Sequence, residues 1–160
     1  MIKLGESVPD VTVRRMGADG RPEAVSVKDL LGPGKSVLFA VPGAFTPTCS
    51  NRHLPGFVAQ ADALKARGVD HVICMSVNDA FVMDAWGRAH QADGKVEMVA
   101  DGNADLARAL GLAADASGFG MGQRAQRFAM IVDGGKVTHL AVDAPGTFEA
   151  SSAEAVLRAL

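Results

Sequence analysis

The sequence predicts an α/β sandwich: a mixed sheet with helices packed against it. Three observations predict it. Short apolar runs alternate with helix-like stretches, a hairpin signal (Asp133-Gly134-Gly135) follows them, and a Ser-x-x-Glu pattern at 151–154 opens a last helix. With 160 residues, 48% hydrophobic and 21% charged, the chain reads as one soluble domain over 1–160, long enough to bury a real core.

Each element has its own reason. Lys35–Val41 (KSVLFAV) lies between Gly-Pro-Gly and Pro-Gly and reads as a buried strand. Pro47–Arg67 is helix-like, with Leu54, Val58, Ala61 and Leu64 on one face, and Pro55-Gly56 predicts a kink or break near Leu54. Val69–Val77 reads as a second buried strand. Asn78 then caps a helix on which Val82, Ala85, Trp86 and Ala89 share a face. Val96–Ala100 is a short strand, Ala104–Leu110 a short helix capped by Asn103, and Ala113–Gln123 a glycine-rich loop. Arg127–Val132 and Lys136–Val142 flank the hairpin turn, and Ser151 begins the capping box of the final helix. No repeat, linker or low-complexity segment interrupts the order.

Charge and composition exclude several classes. A net charge of -2 and a pI of about 6.0 argue against binding nucleic acid through a basic surface. No apolar run approaches the ~20 residues of a membrane span. The opening MIKLGESVPD lacks the apolar core of a secretory signal, so a cytoplasmic protein is expected. Four histidines and two cysteines are too scattered for a zinc site, Cys49 and His53 being a pair without a second pair, and no metal is expected.

The chemistry gathers in residues 41–57, VPGAFTPTCSNRHLPGF. Thr46 and Pro47 fit an N-cap and first helical position, which puts Cys49 in the first turn. Free N–H groups and the helix dipole favour a thiolate there, although the position equally suits a small buried hydrophobe. A C-x-x-C oxidoreductase would need cysteine where Thr46 stands, and a C-x5-R phosphatase loop would need arginine where Pro55 stands. A Cys–His hydrolase could recruit His53, four residues on. Arg127, ahead of the apolar Phe128–Val132, reads either as a cation serving a site or as a snorkelling strand-end arginine.

Pro42, Thr46 and Cys49 form P-x3-T-x2-C, and with it the stretch resembles the active-site signature of the peroxiredoxins, thiol peroxidases of thioredoxin-like fold. PGAFTPTCSNRHLPGF, GVDHVICMSVNDAFVMDAW (68–86) and QRFAMIVDGGKV (126–137) are similar to the type II subfamily in the same order, across nearly the whole chain. The resemblance implies a thioredoxin-like fold with helices on both faces of a mixed sheet. It also implies a cofactor-free peroxidase that reduces hydrogen peroxide and organic hydroperoxides through a Cys49 sulfenic acid. Pro42 would shape the pocket, Thr46 would orient the peroxide as a hydroxyl donor, and Arg127 would supply positive charge; Arg52 and Arg124 do not match the family position.

The other cysteine, Cys74, is 25 residues on (74 − 49), inside the second strand. At ~3.3 Å per residue it lies about 10 Å below the strand end, beyond the ~7 Å Cα separation a disulfide tolerates without unwinding. It therefore reads as an inert core thiol, with a Cys49–Cys74 disulfide cycle as the alternative. Where the mammalian atypical members place a resolving cysteine, this chain has Ser151. An external thiol is accordingly expected as reductant, either glutathione with glutaredoxin or thioredoxin. A redox-sensor or chaperone-like thiol protein that does not turn over is the rival from another class. The resemblance also places Phe45 and Phe81 at a homodimer contact, and Phe81 stands off the apolar face of its helix.

Overall fold

The computed structural model describes residues 1–160. Strands β1 (Thr12–Met16) and β2 (Pro22–Ser26) open the chain, followed by α1 (Val27–Leu31). Then come β3 (Lys35–Ala40), α2 (Leu54–Ala66), β4 (His71–Ser76), α3 (Ala80–Ala89), β5 (Glu97–Ala100) and α4 (Asp105–Ala109). The short strands β6 (Ala113–Asp115) and β7 (Gln123–Ala125) form a separate hairpin, and β8 (Phe128–Asp133), β9 (Lys136–Val142) and α5 (Ala153–Ala159) complete the chain. The main sheet has seven strands in the order β2-β1-β5-β4-β3-β8-β9. β3, β4 and β5 are mutually parallel, whereas β8 lies antiparallel to β3 and β1 antiparallel to β5. The fold is thus α/β with a mixed central sheet, as the sequence predicts.

Strand alternation divides the core. Leu38, Ile73, Met75, Phe128 and Met130 face one side, where α1 and α4 cover them with Leu30, Leu31, Leu106 and Ala107. Val37, Phe39, Val72, Cys74, Ala129 and Ile131 face the other, beneath α2, α3 and α5. Because successive strand residues point to opposite faces, runs that are apolar throughout must be covered on both. Cys49 and Cys74 belong to the second layer.

The helix after β3 begins at Pro47 and passes through a π turn, Cys49–His53, before α2. Pro55 has no N–H to return to the carbonyl four residues back, and the N–H of Leu54 reaches five residues back, to the carbonyl of Cys49. This change of register is the break expected near Leu54. On α2 itself Phe57 is buried and Val58 only half-buried.

Several local expectations are corrected. The buried face of α3 is Ala80, Met83, Trp86 and Gly87; Ala85 and Ala89 are exposed and Val82 half-buried. Gly87 explains the rotation, because a Cβ there would lie 2.6 Å from Met98 Cγ, so its bare Cα lets helix and strand approach closely. The cap of α3 is Asp79, whose carboxylate accepts from the N–H of Val82. Asn78 is used elsewhere: its Oδ1 accepts from the N–H of Ala44 (3.0 Å) and the hydroxyl of Ser76 (2.7 Å). Buried Asp101, not Asn103, accepts from the N–H groups of Leu106 and Ala107 in α4. Ser152, not Ser151, caps α5. Residues 113–123 belong to the β6–β7 hairpin and its turn instead of a plain loop. The expected Asp133-Gly134-Gly135 hairpin is present, and its two glycines have φ of 59° and 81° as a tight two-residue turn requires. No helix is long and apolar enough to cross a membrane.

These bonds distinguish two neighbouring residues. Asp79→Ala should cost about 1 kcal/mol in urea unfolding, the ordinary cost of a lost cap. Asn78→Ala should cost at least as much, at roughly 1 kcal/mol for each of the two donors it leaves unpaired.

Candidate active site

Loop 41–46 leaves the end of β3 and is held from two sides. The N–H of Val41 donates to Met75 O, and the N–H of Ala44 to Asn78 at the end of β4. Phe45 takes a left-handed conformation, φ 63°, which turns the chain into the helix. Thr46 opens that helix through its carbonyl, which accepts from the N–H of Ser50 (2.9 Å). Its hydroxyl, however, donates to Gly43 O at 2.7 Å. With that hydrogen committed, Thr46 Oγ1 meets a ligand as an acceptor, which corrects the expectation of a donor.

Cys49 has no solvent-exposed surface, and neither it nor Cys74 is in a disulfide. The guanidinium of Arg127, from the residue before β8, reaches it: Nη2 donates to Cys49 Sγ at 3.0 Å. Nη1 of the same group lies 2.7 Å from His53 Nδ1. Guanidinium has only hydrogens to offer, so Nδ1 must accept and the ring proton sits on Nε2, which donates to Ser151 O at 2.9 Å. Phe39, Phe57 and Phe148 enclose the ring at centroid distances of 4.9, 5.6 and 4.9 Å.

His53 is pushed down to about 3, by burial first and by the Arg127 charge second, against the opposing Ser151 carbonyl and Asp143. Burial would raise Asp143, yet the hydroxyl of Ser151 and the N–H groups of Ala150, Glu149 and Ser151 outweigh it and hold the carboxyl below the usual range. Cys74 lies 0% exposed in β4, level with Phe39 on β3 and Met98 on β5. It sits two residues before the strand ends at Ser76, nearer that end than the sequence suggests. Burial, and then the nearby Cys49, push its thiol well above the usual range, with Arg127 opposing.

A cavity of about 620 Å³ opens over Arg127, walled by Pro42, Thr48, Phe119, Met121 and Phe148. Arg52 stands at its edge, 4.8 Å above the Phe148 ring. Arg124 is occupied with the carbonyls of Met121 and Val77. A groove of similar size, about 630 Å³, lies at the opposite ends of β4 and β5, where His71–Glu97 and Arg88–Asp84 are already paired. No cluster of three or more His, Cys, Asp or Glu side chains is placed to hold a metal. The structure therefore gathers Pro42, Thr46, Cys49 and Arg127 around one end of the sheet and keeps Arg52 and Arg124 off the sulfur. Sequence reasoning missed Asp143, Ser151 as a carbonyl acceptor, and Phe148, and it considered His53 as a hydrolase base or half of a zinc pair, not as a partner of Arg127. The single available signal was the i,i+4 spacing of His53 from Cys49.

His53 refuses a proton that the unfolded chain accepts below its ordinary 6.5. Its contribution to stability is therefore complete above that pH and is lost as pH falls toward 3, at up to about 1.4 kcal/mol per pH unit. Urea unfolding across this range should show wild type losing stability more steeply than His53→Gln, by about that slope.

Comparison with known proteins agrees with this geometry. The Redoxin family model matches residues 3–157. The chain is 46% identical to Peroxiredoxin-2D of Arabidopsis thaliana over 159 residues, covering 99% of this chain and 98% of that one. It is 48% identical to the chloroplastic Peroxiredoxin-2E-2 of Oryza sativa subsp. japonica, covering 99% and 72%. The crystal structure of reduced Prx3 of Vibrio vulnificus in complex with hydrogen peroxide superposes with a TM-score of 0.95 at 52% identity, covering 99% of each chain. The chain belongs to the Redoxin family, as a peroxiredoxin of the peroxiredoxin-2 kind: a thiol peroxidase of thioredoxin fold.

Proposed function

We propose that Cys49 is the peroxide-reacting thiol and that its oxidised form is a sulfenic acid reduced by an external thiol. The observation that carries this reading is the Arg127 guanidinium donating at 3.0 Å to a Cys49 Sγ that has no exposed surface. It supplies the counter-charge a buried thiolate needs. In the step, Sγ forms a bond to one peroxide oxygen as the O–O bond breaks. The O–O electron pair leaves on the other oxygen, which departs as water or an alcohol once protonated. Thr46 Oγ1 accepts from the peroxide O–H, Arg127 stabilises the charge moving between the oxygens, and Pro42 keeps water from the sulfur. The apolar walls of the cavity leave room for the carbon chain of an organic hydroperoxide.

A reducing thiol then attacks the sulfenic sulfur and releases water, and a second thiol reduces the resulting mixed disulfide. Glutathione with glutaredoxin, or thioredoxin, fits this role better than Cys74, which burial holds protonated inside β4. Mixing reduced protein with one equivalent of hydrogen peroxide should add one oxygen to Cys49 in the intact mass, and Cys74→Ser should behave alike. Loss of two hydrogens in wild type would instead reveal a Cys49–Cys74 disulfide, and no rapid change would refute the assignment.

The chain also pairs, on this reading, as a cytoplasmic homodimer through Phe45 and Phe81, which are 55% and 63% exposed. What supports a shared contact is that the two exposed rings stand on segments tied together by the Ala44–Asn78 hydrogen bond. Light scattering should give twice the monomer's 16.5 kDa, and Phe81→Asp should return it to the monomer mass.

A further inference from the structure

A closed circuit of bonds leaves Arg127 and comes back to it. Its backbone carbonyl accepts from the N–H of Asp143 at 2.9 Å. The Asp143 carboxylate accepts from the N–H groups of Glu149 (3.1 Å), Ala150 (2.8 Å) and Ser151 (3.2 Å), and from the Ser151 hydroxyl (2.5 Å). Ser151 O accepts from His53 Nε2, and His53 Nδ1 accepts from Arg127 Nη1. We infer that Asp143 is a positioning residue for the peroxidase reaction, aiming Arg127 at Cys49 through the Ser151 carbonyl and His53.

The physical reason is tautomer control. His53 can receive a guanidinium N–H only while its own proton is on Nε2, and that proton needs an acceptor in a buried site. The Ser151 carbonyl is that acceptor, and Asp143 fixes the peptides on which it turns. If the carbonyl swung away, a proton on Nδ1 would face the guanidinium hydrogens donor to donor, at the 2.7 Å that now separates the two nitrogens. Arg127 would then lose the anchor that leaves Nη2 pointed at sulfur. Asp143 is 6% exposed and joins none of the ion pairs, so its charge is spent on the four donors of this loop. Two donors would suffice to close a turn; four onto one carboxylate fix the orientation of three successive residues.

The inference rests on Cys49 and Arg127 being the reacting pair. Trp86, the only tryptophan, donates to Ser50 Oγ next to Cys49 (2.9 Å), so its fluorescence in stopped flow follows oxidation of Cys49 by hydrogen peroxide. Asp143→Asn should lower that second-order rate constant roughly ten-fold or more, the scale of a misaimed catalytic group. It should also remove the Nε2–H proton signal of His53 from the NMR spectrum. In a His53→Ala background Asp143→Asn should cost nothing further, because the two act in series. A rate within about two-fold of wild type, or an equal loss in both backgrounds, would overturn the inference. Should Asp143→Asn not fold, Ser151→Ala takes its place in the same cycle and is read by the same criteria. Failure of wild-type Cys49 to gain oxygen would defeat the underlying reading instead, so the two failures are distinct.

Discussion

The site depends on one contact, the guanidinium of Arg127 on the sulfur of Cys49 at 3.0 Å. A sulfur with no exposed surface gains no help from water, so any negative charge on it must be met by the protein. Arg127 meets it, but a half-buried guanidinium needs partners for its other hydrogens. A carboxylate there would satisfy them and cancel much of the positive field at Cys49. The neutral imidazole of His53 accepts the hydrogen bond and leaves the charge in place, which is why burial of the ring and its low affinity for a proton belong to the same design. The carboxylate that does stand nearby, Asp143, is set beyond His53 and turned toward four N–H and O–H donors of its own loop.

Sheet register explains how residues so far apart in sequence meet. Ala40 at the end of β3 lies opposite Phe128 at the start of β8, so the loop carrying Thr46 and Cys49 and the residue before Phe128 emerge at one end. Phe128 is in turn opposite Val142 on β9, which makes Asp143 the backbone partner of Arg127. Three strand ends thus deliver the thiol, its cation and the cation's support. In a mixed sheet this needs both kinds of neighbour, since β3 and β4 end at this edge while β8 begins there.

The buried strands β3, β4 and β8 were legible because continuous apolar runs beside turn residues leave little choice, and the Gly134-Gly135 turn because glycine takes positive φ without a steric cost. Residues 12–31 were not legible: β2 is an edge strand with exposed Pro22 and Glu23, and α1 spans five residues. Caps misled by one or two positions because Asn78, Asp79 and Asp101, or Ser151 and Ser152, are chemically interchangeable as acceptors; tertiary demand decides which one turns to the helix. Pro42, Thr46 and Cys49 stood out by their spacing and Arg127 by the family resemblance, and the fold brings all four to one end of the sheet. His53 and Asp143 were not legible, since a buried histidine or a loop aspartate acquires meaning only from the carbonyl or the N–H groups that the fold brings to it.

The two cysteines show how strongly position sets the character of one functional group. Both are fully buried and both belong to the same apolar layer. Cys74 faces strand neighbours and offers its sulfur no donor, so desolvation governs it and the proton stays. Cys49 begins the π turn of the helix that follows β3, within reach of a guanidinium. Residues four apart share one side of a helix, and Cys49 and His53 both meet the guanidinium of Arg127. One arginine thereby holds both the sulfur and the ring, while Pro55, unable to complete an α-helical bond, marks the change of register where the helix continues past them.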